Sequence, residues 1–254
     1  MNGQIRDNPD YGNWTPKLMI YTPLAIALLF LASSLIWSFL LIPAAFFVLV
    51  AAFLSYVRFK LSPTAGNVQE SIWRLVLDHL NWNGEGRALD IGCGNGALAI
   101  KLAQRHGRAH VLGIDYWGKK WDYSMKVCER NAAIEGVSDR VAFQKGSAAS
   151  LPFADEYFDA AVSNFVFHEV GGVSDKREVI REALRVLKKG GRFAFQDEFL
   201  IKKMYGDIDS LITTIKSWGI AKVEFIQTRN SPFIPRLLKA PFILGTMGMI
   251  RGEK

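Results

Sequence analysis

Ala88-Leu89-Asp90-Ile91-Gly92-Cys93-Gly94-Asn95-Gly96-Ala97-Leu98-Ala99 is the stretch that decides the fold. A short apolar run meets an acidic residue, then three glycines on alternate positions, then helix formers. The pattern predicts a buried parallel strand, a tight turn free of side-chain bulk, and a helix start. Glycine suits such a turn because the backbone bends sharply and lets a ligand approach closely. A nucleotide-like ligand fits the crevice at the carboxyl end of such a strand.

Gly92-x-Gly94-x-x-Ala97 also satisfies the loose dinucleotide fingerprint, with Asp115 about twenty residues further on. Two residues separate the readings. Asp90 puts a carboxylate at the strand tip, where it repels a pyrophosphate and attracts a cation. Gly96 stands one residue early for dinucleotide spacing. Asp90-Ile91-Gly92-Cys93-Gly94-Asn95-Gly96 resembles the first motif of class I S-adenosylmethionine-dependent methyltransferases, and the resemblance runs from about Arg87 to the C-terminus. It implies an α/β fold, a Rossmann-like seven-stranded mostly parallel sheet with helices on both faces. It also implies S-adenosyl-L-methionine as cofactor, held at Asp90, Gly92, Cys93, Gly94 and Gly96, with Asp115, Tyr116, Ser147, Ala148 and Asn164 completing the expected site.

The chain has 254 residues, half of them hydrophobic, and a formal charge of +7. That length allows one full domain and something extra. Cys93 and Cys128 have neither metal-ligand spacing nor a disulfide framework, which fits a reducing compartment. No arginine-rich run or basic-aromatic stripe argues for nucleic acid.

The extra is at the start. Leu18 to Val57 contains no Asp, Glu, Lys, Arg or His. A membrane span needs roughly 20 apolar residues, so the stretch is expected to form two transmembrane helices, Leu18–Trp37 and Leu40–Val57, turning near Ser38 to Pro43. Thr15-Pro16 reads as a hydroxyl N-cap with proline at the first helical position. Lys17, Arg58 and Lys60 at the open end place both ends in the cytoplasm. The expected layout is a cytoplasmic tail (1–17), a transmembrane hairpin (18–57), a linker (58–70) and the methyltransferase domain (71–254). A hairpin dipping into one leaflet is the rival reading.

Within the domain, a helix is expected around Ile72 to Leu80. The helix after the glycine turn runs from Ala97 to His106, with Gly107 as its C-cap. The second strand ends at Asp115, where an acid accepts hydrogen bonds from ribose hydroxyls. Tyr116 to Ser124 then packs four aromatics into a short insert, among them Trp117 and Trp121 as candidates to stack on adenine. Arg140 to Gln144 forms the third strand. The resembled family usually has Asp after the next glycine, whereas Ser147 follows Gly146 here, so Ser147 or the Ala148 backbone is left to meet the adenine. Leu151-Pro152-Phe153 and Phe158-Asp159 match the family pattern leading into the fourth strand, which ends at Asn164. A helix from Asp175 to Lys189, stopped by Gly190-Gly191, precedes a fifth strand from Arg192 to Gln196. Ile208 to Trp218 reads as a helix, Ala221 to Gln227 as a strand, and Phe242 to Arg251 as a final antiparallel strand. The apolar, basic, proline-rich stretch from Ser231 to Pro241 is expected at the membrane or the substrate entrance.

Methyl transfer from a sulfonium requires mainly binding, alignment and exclusion of water, with a base only where the acceptor must lose a proton. His168 is the expected base, with Glu169, Asp197 and Glu198 as rivals. His106 and His110 lie four apart, but Gly107 breaks the helix that would align them, so no metal is expected. The leading reading is a membrane-tethered methyltransferase acting on a small, apolar or lipid-linked acceptor. The alternatives are an NAD(P)-dependent oxidoreductase on a similar sheet and a non-catalytic membrane-anchored module.

Overall fold

The computed structural model describes residues 8–118 and 122–254. It divides into two compact units, Gly12–Ser71 on one side and residues 8–11 with 72–254 on the other. The chain therefore leaves the larger unit at Tyr11 and returns to it at Ile72.

The smaller unit holds two helices, α1 (Lys17–Ser33) and α2 (Leu41–Leu61), joined through a short turn of helix at Ser38–Leu40. The helices pack along each other, and Phe30 stacks on Phe47 with ring centroids 5.9 Å apart. Pro23 and Ala27 on α1 and Ala44 and Ala51 on α2 are buried, small residues that let two apolar helices approach. The open end is tied by polar bonds. Asn13 Nδ2 donates to Arg58 O at 2.9 Å, and the Arg58 guanidinium donates to Thr15 O.

The expected first span is corrected. α1 has 17 residues and stops at Ser33, four before Trp37, where Ser34 Oγ donates to Leu31 O at 2.6 Å. At about 1.5 Å per residue it reaches roughly 25 Å, short of a hydrocarbon core of about 30 Å. Only Ser38–Leu61, with 24 residues and a mean hydropathy of 2.5, is long and apolar enough to cross a membrane among the described residues. Nor does Thr15 cap α1: Pro16 holds the N-cap position and no side chain bonds the first amides.

The larger unit begins its regular structure with α3 (Val68–His79), whose later turns bury Ile72, Trp73 and Val76. β1 (Gly86–Ile91), β2 (Ala109–Asp115), β3 (Val141–Lys145), β4 (Phe158–Asn164) and β5 (Leu187–Asp197) are mutually parallel. β7 (Gly248–Glu253) inserts antiparallel between β5 and β6 (Lys222–Ile226), giving the order β3-β2-β1-β4-β5-β7-β6. This is the Rossmann-like seven-stranded sheet that the resemblance implied.

Register sorts the side chains by face. Leu89, Ala161 and Phe193 align across three strands, as do Ile91, Ser163 and Phe195. All but Ser163, whose hydroxyl donates to Ile91 O, build the main apolar core with Ile180 and Leu184 of α6 (Arg177–Arg185) and Leu211 and Ile215 of α8 (Ile208–Ser217). The other face carries Ala88, Asp90 and Val162, and against it lie α4 (Ala97–Arg105) and α5 (Met125–Ile134). Helices therefore cover both faces.

Two helices end differently from expectation. α4 ends on His106 in extended backbone, and Gly107 takes no left-handed conformation. α6 is shorter than Asp175–Lys189, because Tyr157 N and Phe158 N both donate to Val186 O and draw the chain into β5 from Leu187. Gly190 and Gly191 therefore lie inside the strand. A short helix α7 (Lys202–Tyr205) precedes α8. In the stretch from Ser231 to Pro241, Ile234 and Leu238 are buried and Leu237 is exposed. Phe195→Ala should cost about 3–5 kcal/mol, since its ring is fully buried in the main core. A urea midpoint unchanged from the unaltered chain would contradict this placement.

Candidate active site

The turn between β1 and α4 is a loop whose amides are already engaged. Gly92 N and Cys93 N both donate to Ile114 O, at 2.7 and 3.1 Å. Gly94 N donates to Asp115 Oδ2 at 2.9 Å, and Gly96 N to Cys93 O at 2.8 Å. Gly92, Gly94 and Gly96 all take positive φ. A Cβ on Gly92 would overlap Val166, and one on Gly96 would press on Phe143 at 2.9 Å. The loop needs glycine for both space and backbone conformation.

Asp90 lies beneath this loop rather than in the cleft. Its carboxyl is buried and Oδ2 accepts from Ala99 N, in the first turn of α4, at 2.9 Å. Burial raises its pKa to about 7, against the lowering effect of the Ala99 bond. Its role is to pin the helix start to β1, which corrects the expectation of a free carboxylate facing a cation. Cys93 is likewise buried, beside Gly113, with its thiol pushed up by burial and by Cys128.

Asp115 stands at the tip of β2. Its second oxygen accepts from Trp117 N at 2.7 Å, so one carboxylate joins the glycine loop to the insert after β2. Burial raises its pKa and the amide bonds from Trp117 and Gly94 lower it. Trp117 folds back on the loop, with Nε1 donating to Gly94 O at 2.8 Å. Tyr116 turns outward, 66% exposed, with Lys145 Nζ 5.5 Å from its ring centroid. Trp121 lies outside the described residues. Ser147 Oγ accepts from Ala149 N, and Ala148 packs on the core, next to a Gly146 that donates to Asp115 O. Asn164 ends β4 with a buried Oδ1 that has no hydrogen-bond partner among the described residues.

Past β4 the backbone is strained: Phe165 holds φ 57°, with its N donating to Gln196 O at 2.8 Å. The next residues turn onto Asp197, whose side chain is fully buried. Asp197 Oδ2 accepts from Val166 N and Phe167 N at 3.1 and 2.7 Å, and Oδ1 lies 2.7 Å from His168 Nδ1. His168 Nε2 is 3.6 Å from Glu169 Oε1. Burial alone would lower the His168 pKa, but Asp197 and Glu169 outweigh it and raise it to about 10. Burial also raises Glu198, while His168 lowers it.

The Asp197 contact favours the protonated imidazole and fixes the ring through Nδ1, with Nε2 on the side of Glu169. Sequence alone does not reveal Asp197 as its holder, because the pair is 29 residues apart. Asn131 and Tyr123 also converge on the glycine loop; Asn131 carries no motif that marks it, and Tyr123 belongs to the aromatic insert.

Residues 89–195 match the family model of the methyltransferase domain. A 27-O-demethylrifamycin SV methyltransferase from Amycolatopsis mediterranei is 37% identical over 120 residues, covering 47% of this chain and 41% of that protein. The chain spans under half the length of this and the next curated relative. The fold matches a geranyl diphosphate C-methyltransferase from Streptomyces coelicolor A3(2), solved with S-adenosyl-L-homocysteine, with a TM-score of 0.56, 16% identity and coverage of 73% of this chain and 79% of that one. It also matches the [4+2]-cyclase SpnF, at TM-score 0.55, 21% identity and coverage of 73% and 81%.

Because its pKa is raised in the fold, His168 adds stability in full below its ordinary 6.5 and loses it as pH rises through about 10. The His168 ring resonances should titrate near pH 10 by NMR, and Asp197→Asn should bring them back towards neutrality. A titration near 6.5 in the unaltered protein would remove the ion pair from this account.

Proposed function

We propose, on the premise of a methyltransferase domain over residues 89–195, that the chain is a membrane-tethered S-adenosyl-L-methionine-dependent methyltransferase acting on a small, apolar or lipid-linked acceptor. The observation that carries the cofactor reading is Asp115 joined to the glycine loop through Gly94 N. An ionised carboxylate has about four lone-pair sites, so two amide bonds leave capacity for ribose hydroxyls. The unpartnered Asn164 Oδ1 suits an N–H donor such as the ammonium of the amino-acid end. The bare backbone at Gly92 and Gly94 admits close approach. These residues fit the group.

When bound, the cofactor supplies an electrophilic methyl on a sulfonium. The chain's own part is to hold that methyl in line with the acceptor and to keep water out. His168, at the end of β4, presents Nε2–H as a donor while Asp197 fixes Nδ1. A donor there stabilises an acceptor oxygen that carries negative charge, and loss of the acceptor's proton falls to another group. Asp197 is a positioning residue, since it acts through His168 and the Val166 and Phe167 amides.

The tether is supported by the uncharged run from Leu18 to Val57 and by large apolar side chains left open on the smaller unit. Leu35 is 90% exposed, Ile36 76% and Ile42 75%. Lys17, Arg58 and Lys60 mark the end that belongs at the cytoplasmic surface. Such a tether raises the local concentration of a lipid-linked acceptor.

Calorimetric titration of the full chain with S-adenosylhomocysteine should show one site, and Asp115→Asn should weaken it at least about tenfold, by the loss of charge-assisted hydrogen bonds. Binding of reduced nicotinamide cofactor in its place would sink the methyltransferase reading. Alkaline carbonate washing of membranes should leave the chain in the pellet; release into the supernatant would end the tether proposal.

A further inference from the structure

Residues 8–11 precede the apolar helices in sequence, yet they dock on the larger unit, beside the glycine loop. Asp10 N donates to Asn131 Oδ1 at 2.9 Å, and Asn131 Nδ2 returns a bond to Asp10 O at 2.8 Å. One side-chain amide thus pairs with both polar groups of one backbone residue. Asn95 Nδ2 adds a second bond to Asp10 O, at 3.1 Å. Tyr11 OH donates to Glu135 Oε1 at 2.9 Å, and its ring meets Trp73 edge-on at 5.7 Å. Lys101 Nζ lies over both rings.

The two asparagines connect this segment to the cofactor loop. Asn95 is itself a loop residue, and its Oδ1 accepts from Ser124 N at the start of α5. Asn131 is fully buried and also donates to Asn95 O at 3.0 Å. Removing the segment would leave Asn131 Oδ1 without the Asp10 N–H and both Nδ2 groups without their bond to Asp10 O, at a desolvation cost. Tyr123 closes the arrangement, its ring 3.4 Å from a Cβ placed on Gly94. Burial, then Asp115 and Asp10, push its phenol well above the ordinary range.

We propose that Asp10 and Tyr11 form a strap that sets the glycine loop in its cofactor-binding shape, with Asn95 and Asn131 as positioning residues. The proposal rests on the cofactor reading above. A loop held in advance spends less of the binding free energy on ordering itself, so strap bonds appear as cofactor affinity. The chain leaves the larger unit directly after the strap, so a fragment beginning after the apolar helices would lack it.

The test uses the full chain in detergent micelles, titrated with S-adenosylhomocysteine. Asp10→Pro removes the N–H given to Asn131 together with the Asp10 carboxylate, and Tyr11→Ala removes the buried ring and its bond to Glu135. Each should weaken binding about tenfold and speed dissociation, with the thermal midpoint still well above the titration temperature. Tyr11→Phe keeps the ring on Trp73 and should recover most of the affinity. Binding by the unaltered chain, with both variants within twofold of it, would overturn the strap alone. Failure of the unaltered chain to bind would overturn the cofactor reading, and the strap's role with it.

Discussion

One carboxylate, that of Asp115, holds the end of β2 to the turn between β1 and α4. Through Gly94 N it fixes the glycine loop, and through Trp117 N it fixes the insert that folds back over that loop. The parallel register of β1 and β2 brings those groups together, since Ile91 pairs with Ile114 one residue before the tip. Asp90 performs the complementary task below, tying the first turn of α4 to β1. Two acids at strand ends thus define a site before any ligand arrives.

A third acid organises the neighbouring corner. Asp197, at the end of β5, collects the amides after β4 and the ring of His168. Its burial makes the contact with His168 strong enough to outweigh the desolvation of the imidazole. The residue type suggested a base, and the structure adds the buried carboxylate that orients the ring and favours its protonated form.

Much of the sheet was legible because its signals are local. The apolar run into Asp90, the alternate glycines and the Phe158-Asp159 entry to β4 each specify structure within a few residues. The antiparallel insertion of β7 followed from the resemblance. What escaped depends on distant partners. Gly190-Gly191 looks like a helix stop, yet pairing of Phe158 with Leu187 claims the chain for β5 first. The strap joins Asp10 to Asn131 across 121 residues, a distance no periodicity reports. The early end of α1 at Ser33 lies inside a run that a count of apolar residues treats as uniform.

Hydrogen–deuterium exchange of the full chain, with and without S-adenosylhomocysteine, tests the central claim that the loop fixed by Asp115 is the cofactor site. Added protection is expected at Gly92–Gly96, at Asp115–Trp117 and in the strap. Protection confined to the opposite end of the sheet, in the groove lined by Arg87, His110 and Arg140, would contradict it.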